Sequence, residues 1–173
     1  GPQNSSLKLV AAGSDHFGVA GADELLLARS KGMPVVAVAV LFKHSPVCFI
    51  SHADSGIRSP RDWKGRTVEV SYGENAEYQF RILASRVGLT RADYSEVAYT
   101  FNVAPFLSRK VDVSPAYTMD QALIIEKQGV QLNKVFARDY GVDPYGDVII
   151  VRNDTLERQR DLVGRFVRAA LHS

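Results

Sequence analysis

Apolar and polar residues repeat along this chain with two different periods, which predict a mixture of strands and helices. Runs rich in β-branched residues predict buried strands at Val35–Phe42, Thr67–Val70 and Val148–Val151. Between positions 74 and 87, apolar side chains recur at the spacing of one helix face. Gly88 follows directly, and glycine commonly ends helices. The clearest helix is therefore predicted over Glu74–Val87.

The weaker patterns complete an alternating series of short helices and strands. Further helices are predicted at Leu7–Ala12, Asp23–Ser30, Ala104–Ser108, Met119–Lys127 and from Asn153 or Asp154 onward. Further strands are predicted at Phe17–Ala20, Cys48–Ser51, Glu96–Ala98, Val111–Ser114 and Lys134–Ala137. Ser59 is predicted to cap a short helix that has Pro60 at its first position. Helices that alternate with strands predict an α/β fold with a largely parallel sheet.

Two polar linkers that contain glycine or proline, His52–Ser59 and Tyr140–Pro144, divide this series. A segment that the chain enters and leaves once predicts two lobes joined by two hinge crossings. On this interpretation residues 7–52 and 145–173 form the first lobe, and residues 58–138 form the second. Residues 1–6 lie outside both lobes, as a disordered end or as the remnant of a cleaved expression tag.

The composition is that of a globular protein, and it argues against several classes of function. A chain of 173 residues makes one or two domains, and a hydrophobic fraction of 46% supplies a sizeable core. The formal charge is only +2, with Lys and Arg spread along the chain, which argues against a nucleic-acid partner. The longest apolar run, near Val35–Phe42, is far shorter than a bilayer span. The single cysteine, Cys48, forms no internal disulfide and does not fix the compartment.

The segment from Asp139 to Asp147 carries the densest candidate binding chemistry. It places two Tyr, two Gly and three Asp in nine residues, directly before the strand at Val148–Val151. Glycine lets backbone approach a ligand, tyrosine offers a flat face, and aspartate accepts hydrogen bonds from amines. Tyr145, Gly146 and Asp147 are therefore predicted to contact a small, flat, nitrogen-rich ligand. The alternative is an ordinary turn-rich loop, because Gly, Asp and Pro dominate turns.

A second candidate site lies at the start of the long helix, in Tyr72, Gly73, Glu74 and Asn75. Backbone N–H groups at a helix start are free to bind an anion. Glu74 and Glu77, however, place two carboxylates in the first turn, where they would repel a sulfonate or a phosphate. Either both carboxylates only cap the helix, or one accepts hydrogen bonds from a ligand amine. The second interpretation favours an aminopyrimidine as ligand.

Six segments, taken in order, resemble one family of binding proteins. They are Phe17–Leu27, Lys31–Val35, Ser59–Gly65, Gly73–Tyr78, Val111–Tyr117 and Asp139–Asp147. Together they resemble the periplasmic substrate-binding proteins of ABC importers, in the NMT1/THI5-like branch that carries sulfonates, riboflavin and the pyrimidine precursor of thiamine. The resemblance implies a bilobal periplasmic-binding-protein-like fold with the ligand between the lobes, a periplasmic or extracytoplasmic location and an ABC permease as partner. It also implies that Tyr117 faces the ligand cleft, where Asp120 either contacts the ligand or only caps a helix.

The proteins that this chain resembles are longer at both ends. They begin with a strand, a helix and a second strand before the segment that matches Phe17, and they continue beyond the match at Ala169–His172. The first lobe is therefore expected to be incomplete, with an apolar face that pairs two copies into a homodimer. No signal peptide is present. The ligand-sensing domain of a membrane signalling receptor is the alternative to an importer component.

No catalytic role is predicted. Relatives that synthesise the thiamine pyrimidine use a cysteine-rich segment with histidine, which the single Cys48 does not match, so such an enzyme is a disfavoured alternative. His44, Cys48 and His52 are spaced by four and would share one strand face, as metal ligands can. Pro46 interrupts that strand and no fourth ligand is evident, so neither a metal nor a cofactor is expected. The sequence predicts a solute-binding module for a small heteroaromatic ligand.

Overall fold

The computed structural model describes residues 5–172, which divide into two compact units. Unit 1 contains the described residues up to Ser45 and those from Pro144 onward, and unit 2 contains Pro46–Asp143. The chain therefore passes from unit 1 into unit 2 and back again. Most of the segment assigned to a tag or a disordered end, residues 1–4, lies outside the described residues.

Short helices and strands alternate through much of the chain. The α-helices are, in chain order, α1 (Ser6–Ala12), α2 (Ala22–Ser30), α3 (Asn75–Arg86), α4 (Ala104–Leu107), α5 (Gln121–Lys127), α6 (Asn153–Arg158) and α7 (Arg160–Leu171). The strands are β1 (Gly18–Gly21), β2 (Val35–Val40), β3 (Val47–His52), β4 (Thr67–Val70), β5 (Ser95–Ala98), β6 (Ser114–Tyr117), β7 (Leu132–Val135) and β8 (Asp147–Arg152). Short 3-10 helices lie at Ala53–Ser55, Pro60–Trp63 and Ala137–Tyr140.

Unit 1 is built on an antiparallel sheet in the strand order β1-β8-β2, with α1 in contact with it. Gly18 allows this close packing, because a Cβ at that position would lie 2.9 Å from Cγ2 of Val10. The helix ends at Gly13 in the left-handed conformation, with φ of 78°, as the sequence predicts. The buried cluster of this unit contains Leu, Val, Ile and Ala side chains.

Strand β2 lies at an edge of this sheet, which corrects one prediction. The sequence predicts Val35–Phe42 as a buried strand, but only Val35 in β2 is buried, and Val40 is 42% exposed. A bulge between Ala37 and Ala39 shifts the pairing with β8. An apolar run has the same pattern inside a sheet and along its edge, so the pattern alone could not place it.

Unit 2 contains an antiparallel sheet in the order β6-β3-β7 and a parallel pair, β4-β5. Strand β3 is buried along its whole length and pairs with both β6 and β7. Residues 46–52 therefore lie in unit 2, although the sequence assigns them to the first lobe, and the first crossing precedes His52–Ser59. The main core of the unit gathers four aromatic side chains, Phe49, Trp63, Phe80 and Tyr94.

The two units have a mixed α/β architecture, but the prediction of a largely parallel sheet is wrong. Both partners of β8 and both partners of β3 pair antiparallel. Among the described residues, the parallel pairings are β4 with β5 and an isolated bridge between Val68 and Val113. Alternation of helices and strands fixes the order of elements along the chain, but not the direction in which a distant strand enters a sheet.

Two element boundaries also differ from the sequence prediction. The strand predicted at Val111–Ser114 starts at Ser114 and continues through Pro115, at a sheet edge where the missing proline N–H is tolerated. The final predicted helix divides at Gln159 into α6 and α7, because that residue leaves the helical conformation with φ of −131°. Within residues 5–172, no helix has the length and apolar character needed to span a bilayer.

Candidate functional site

Unit 2 contains a cavity of about 230 Å³ beside the first residue of β3 and the last residue of β6, which pair in register. Its walls come from the start of α3, the loop after β5, and the segment that joins β6 to α5. The lining residues are Val47, Ser71, Glu74, Asn75, Ala76, Tyr99, Phe101, Pro115, Ala116, Tyr117, Asp120 and Gln121. Four of the nine residues predicted from the sequence line this cavity, namely Glu74, Asn75, Tyr117 and Asp120.

The structure separates the two carboxylates at the start of α3. Glu77 accepts a hydrogen bond from the backbone N–H of Gly73 at 2.7 Å and forms an ion pair with Arg81 at 3.1 Å. Glu74 occupies the N-cap position, but its side chain makes no cap hydrogen bond. Its carboxyl group lines the cavity, and desolvation raises its pKa. Glu77 therefore pairs with the turn before the helix, whereas the side chain of Glu74 takes no part in capping.

A chain of hydrogen bonds orients the opposite wall. The side-chain amide of Asn75 donates to the hydroxyl of Tyr117 at 3.1 Å. The backbone N–H of Tyr117 donates to the side chain of Gln121 at 2.9 Å, and Gln121 donates to the carboxylate of Asp120 at 2.6 Å. Asp120 stands at the N-cap position of α5, but its side chain makes no cap hydrogen bond. Its carboxylate is thus not used as the helix cap that the sequence left as an alternative.

Two aromatic residues in the loop after β5, Tyr99 and Phe101, contribute a wall that the sequence did not single out as binding chemistry. Their ring centroids lie 5.1 Å apart in a tilted arrangement. The hydroxyl of Tyr99 is buried and has no hydrogen-bond partner among the described residues. Burial raises the pKa of Tyr99 to about 12, with contributions from Glu69, Asp120 and Glu74. A buried hydroxyl without a partner gains free energy from a ligand atom that pairs with it.

The charge of this lining has one sign. Glu74 and Asp120 contribute carboxyl groups, and no Lys, Arg or His lines the cavity in the described part of the chain. Glu69 lies outside the lining: its carboxyl is buried and accepts a hydrogen bond from Ser114 at 2.6 Å, and desolvation raises its pKa. Groups of this kind attract amines and repel sulfonates, since like charges in a poorly solvated site are costly.

Tyr72 and Gly73 do not line this cavity. The hydroxyl of Tyr72 donates to Glu96 at 2.8 Å, and this hydrogen bond raises the pKa of Tyr72. Gly73 adopts a left-handed φ of 80° in the turn before α3. Both residues belong to the turn that precedes α3. A direct ligand contact from either residue remains a prediction.

The predicted residues of unit 1 cluster where β8 begins. Tyr145 is 57% exposed, and Gly146 donates its N–H to the carbonyl of Phe42 at 2.8 Å. Asp147 pairs in register with Gly21 of β1, just before α2. Asp23, in α2, was not predicted: one carboxyl oxygen is buried without a hydrogen bond among the described residues, and desolvation raises its pKa, with a smaller contribution from Asp147. The pairing of β1 with β8 brings the carboxylates of Asp23 and Asp147 together, so no local sequence signal could reveal their proximity.

The candidate metal ligands of β3 serve packing. Cys48 is buried in a core cluster, and desolvation raises its thiol pKa to about 12. The ring of His52 stacks on Phe106 with centroids 4.5 Å apart, and its Nε2 lies 3.0 Å from the carbonyl oxygen of Phe106. No group of three or more His, Cys, Asp or Glu side chains within residues 5–172 is arranged to hold a metal ion.

Among the proteins that this chain resembles in sequence are three with named functions. A riboflavin-binding protein, RibY, of Chloroflexus aurantiacus is 29% identical over 90% of this chain and 44% of the relative. A formylaminopyrimidine-binding protein of Halalkalibacterium halodurans is 27% identical over 95% of this chain and 51% of the relative. A 4-amino-5-hydroxymethyl-2-methylpyrimidine phosphate synthase of Legionella pneumophila is 31% identical over 60% of this chain and 33% of the relative. The chain thus spans about half the length, or less, of the relatives it matches.

Solved structures show the same fold. The periplasmic aliphatic sulphonate binding protein SsuA of Escherichia coli superposes with a TM-score of 0.74 at 20% identity, over 96% of this chain and 56% of that one. The alkanesulfonate-binding protein of Xanthomonas axonopodis bound to MOPS gives a TM-score of 0.70 at 19% identity, over 96% and 56%. These likenesses confirm a fold of the periplasmic-binding-protein type. The sequence profile described as NMT1/THI5 like matches residues 1–173, and the chain therefore belongs to the NMT1/THI5-like family.

Proposed function

We propose that this chain is the solute-binding part of an ABC importer, and that its unit 2 cavity holds a small heteroaromatic amine such as the pyrimidine precursor of thiamine. The observation that carries the proposal is the lining of the cavity, which combines carboxyl groups and aromatic rings with no basic side chain among the described residues. The relatives named for riboflavin and for formylaminopyrimidine also have heteroaromatic ligands in their names. The role requires neither a cofactor nor a metal.

Each part of the lining suits one part of such a ligand. The carboxylates of Glu74 and Asp120 can accept hydrogen bonds from the N–H groups of an exocyclic amine. The rings of Tyr99 and Phe101 offer flat faces to a heteroaromatic ring. The unpaired hydroxyl of Tyr99 can donate to a ring nitrogen. A sulfonate has no comparable partner here and would face two carboxylates.

Ligand contact by Tyr145, Gly146 and Asp147 of unit 1 remains a prediction from the sequence. We expect Asp147→Asn to weaken aminopyrimidine binding by about 1.5–3 kcal/mol, the value of a hydrogen bond to a charged group. Unchanged affinity in calorimetry would remove Asp147 from the ligand site.

The proposed partners and location rest on the structural neighbours and on the exposed edges of unit 1. An ABC permease is the proposed partner. The proposed location of this chain is outside the cytoplasm, because the sulfonate-binding neighbours are described as periplasmic. Two copies are proposed to associate through unit 1, whose edge strands expose Val19 and Val40 by 48% and 42%. Exposed apolar sheet edges are templates for pairing with a second chain.

A pyrimidine synthase is the second candidate, because two relatives carry that name. The chemistry of the described residues favours binding over catalysis. The buried Cys48 thiol, with its raised pKa, is a poor nucleophile, and no histidine lines the cavity. Incubation with pyridoxal phosphate and iron is expected to yield no aminopyrimidine phosphate, and its formation would favour the enzyme.

Calorimetry with four probes tests the proposal. The probes are 4-amino-5-hydroxymethyl-2-methylpyrimidine, riboflavin, MOPS and taurine. The pyrimidine is expected to bind at least about tenfold more tightly than MOPS or taurine, a difference of about 1.4 kcal/mol. Tighter binding of either sulfonate would redirect the function to sulfonate capture, and no binding by any probe would contradict the proposal. Mass spectrometry of small molecules released from purified protein identifies the ligand without a prior choice.

A further inference from the structure

Phe101 combines three features that packing alone does not explain. Its φ of 58° lies in the left-handed region, which a bulky side chain rarely adopts. Its ring is 56% exposed, so core packing does not fix it there. The same residue lines the unit 2 cavity. A strained and exposed aromatic residue therefore stands at the candidate site.

The backbone on both sides of Phe101 is held in place. The N–H of Tyr99 donates to the carbonyl of Val70 at 2.9 Å, which extends the pairing of β5 with β4. The side chain of Asn102 accepts the N–H of Ala104 at 2.9 Å at the start of α4. The backbone is thus tied to β4 before Phe101 and is turned locally into α4 after it.

A residue selected for this backbone conformation would be Gly, Asn or Asp, and a residue selected for packing would be buried. Phe101 meets neither requirement, and backbone strain of this kind clusters at ligand-binding sites. We propose that Phe101 is a specificity-determining residue, whose strained backbone presents its ring as a stacking face that selects flat aromatic ligands. This inference rests on the proposed function and adds to it the residue that favours flat ligands over non-flat ones.

Three substitutions separate the ring from the strain. Phe101→Asn removes the ring and suits the left-handed conformation, whereas Phe101→Leu removes the aromatic face but keeps the strain. Phe101→Tyr keeps both. Arg109→Asn is the matched control, because Arg109 also has a left-handed φ, of 56°, but does not line the cavity. Its guanidinium pairs with Asp54 at the surface.

The proposal predicts a distinct pattern for 4-amino-5-hydroxymethyl-2-methylpyrimidine binding and for thermal unfolding without ligand. Phe101→Asn and Phe101→Leu should weaken binding by about 5- to 150-fold, the range typical of lost ring stacking. Phe101→Tyr should stay within about twofold. Phe101→Asn should raise the unfolding midpoint by about 2–4 °C through relief of strain, whereas Phe101→Leu should not. Arg109→Asn should leave the affinity unchanged.

The outcomes that overturn the proposal differ from those that overturn the function. If the wild-type chain binds the pyrimidine and both ring-removing variants bind it within twofold as tightly, Phe101 has no role in specificity. If Phe101→Asn lowers the unfolding midpoint, the residue is not strained for the sake of the site. If the wild-type chain itself binds none of the probes, the proposed function fails, and the role of Phe101 fails with it.

Discussion

Units 1 and 2 differ in what fills their cores. The main cluster of unit 2 packs four aromatic residues, with the rings of Trp63 and Phe80 stacked at 5.0 Å between centroids. The corresponding cluster of unit 1 contains only aliphatic side chains among the described residues, several of them small. Aromatic side chains bury more surface and interlock more specifically than alanine or valine. The core of unit 2 is therefore expected to pack more specifically than the core of unit 1.

The two units also differ in what they leave open. Unit 2 exposes a cavity whose walls are fixed by hydrogen bonds from Asn75 to Tyr117 and onward to Gln121. Both units expose large apolar side chains, among them Val40 on β2 of unit 1 and Val97 on β5 of unit 2. Unit 2 therefore fixes its cavity lining by its own packing, whereas association of two copies through the edge strands of unit 1 remains a prediction.

The largest effect is expected from one substitution made in each core. Leu83→Ala in unit 2 should lower the free energy of unfolding by about 4 kcal/mol, because Leu83 is fully buried among large rings that cannot collapse into the space. Leu25→Ala in unit 1 should cost about 2 kcal/mol, because smaller neighbours relax more easily. Urea denaturation measures both, with fluorescence of the single Trp63 reporting on unit 2 and circular dichroism on the whole chain. Equal losses at the two sites would remove the distinction between the cores.

A network of ion pairs around Glu96 makes the stability of unit 2 sensitive to acid. Arg81 donates to both carboxylate oxygens of Glu96, which also accepts hydrogen bonds from Arg91 and Tyr72. The Arg81 hydrogen bonds lower the pKa of Glu96 to about 2. The folded pKa lies below the unfolded one, so the stabilisation is present above about pH 4.5 and is lost as the pH falls towards 2.

Glu96→Gln should therefore lower the free energy of unfolding at pH 7 by about 1.5–3 kcal/mol and flatten its pH dependence between about 5 and 2. Asp54→Asn is the control, because Asp54 forms its bidentate ion pair with Arg109 at the exposed surface. Such a pair should contribute little, and the variant should unfold like the wild type. A pH profile of Glu96→Gln that matches the wild type would show that the network does not stabilise the fold.

The smallest stability-related effect is expected on association. Val40→Lys places a charge on the exposed edge strand of unit 1 and should raise the dimer dissociation constant by at least about tenfold, or about 1.4 kcal/mol. Val97→Lys is the matched control, because Val97 is similarly exposed, at 43%, on β5 of unit 2. Light scattering across a dilution series distinguishes the two. A monomeric wild-type chain, or equal effects of both variants, would contradict association through unit 1.

Local signals made part of this structure predictable from sequence. Strand β4 has the predicted bounds, and α3 lies within the predicted Glu74–Val87. The pairing of β8 with β1 and β2 joins residues more than a hundred positions apart, so no local pattern encodes its direction. The first crossing between the units was misplaced for the same reason, since β3 is identified by its partners in unit 2.

The candidate site was predictable to a similar extent. The start of α3 was located because strand–glycine–helix junctions have a sequence pattern, whereas Tyr117 was located by the resemblance to a family. The choice between Glu74 and Glu77 was not made, although Arg81, four residues after Glu77, is the signal that marks the paired carboxylate. Phe101 was missed because a left-handed backbone is expected of glycine or asparagine, and a phenylalanine in a loop gives no sign of it.

We propose that a carboxylate of the unit 2 cavity binds a ligand amine. Calorimetry on variants of two neighbouring glutamates is the most direct measurement. Glu74→Gln should weaken binding of 4-amino-5-hydroxymethyl-2-methylpyrimidine by about 1.5–3 kcal/mol, or roughly 10- to 150-fold. Glu77→Gln, one helical turn away and outside the cavity lining, should leave the affinity within about twofold of the wild type. Equal affinities for all three proteins, or a larger loss in Glu77→Gln, would contradict the assignment of this cavity as the ligand site.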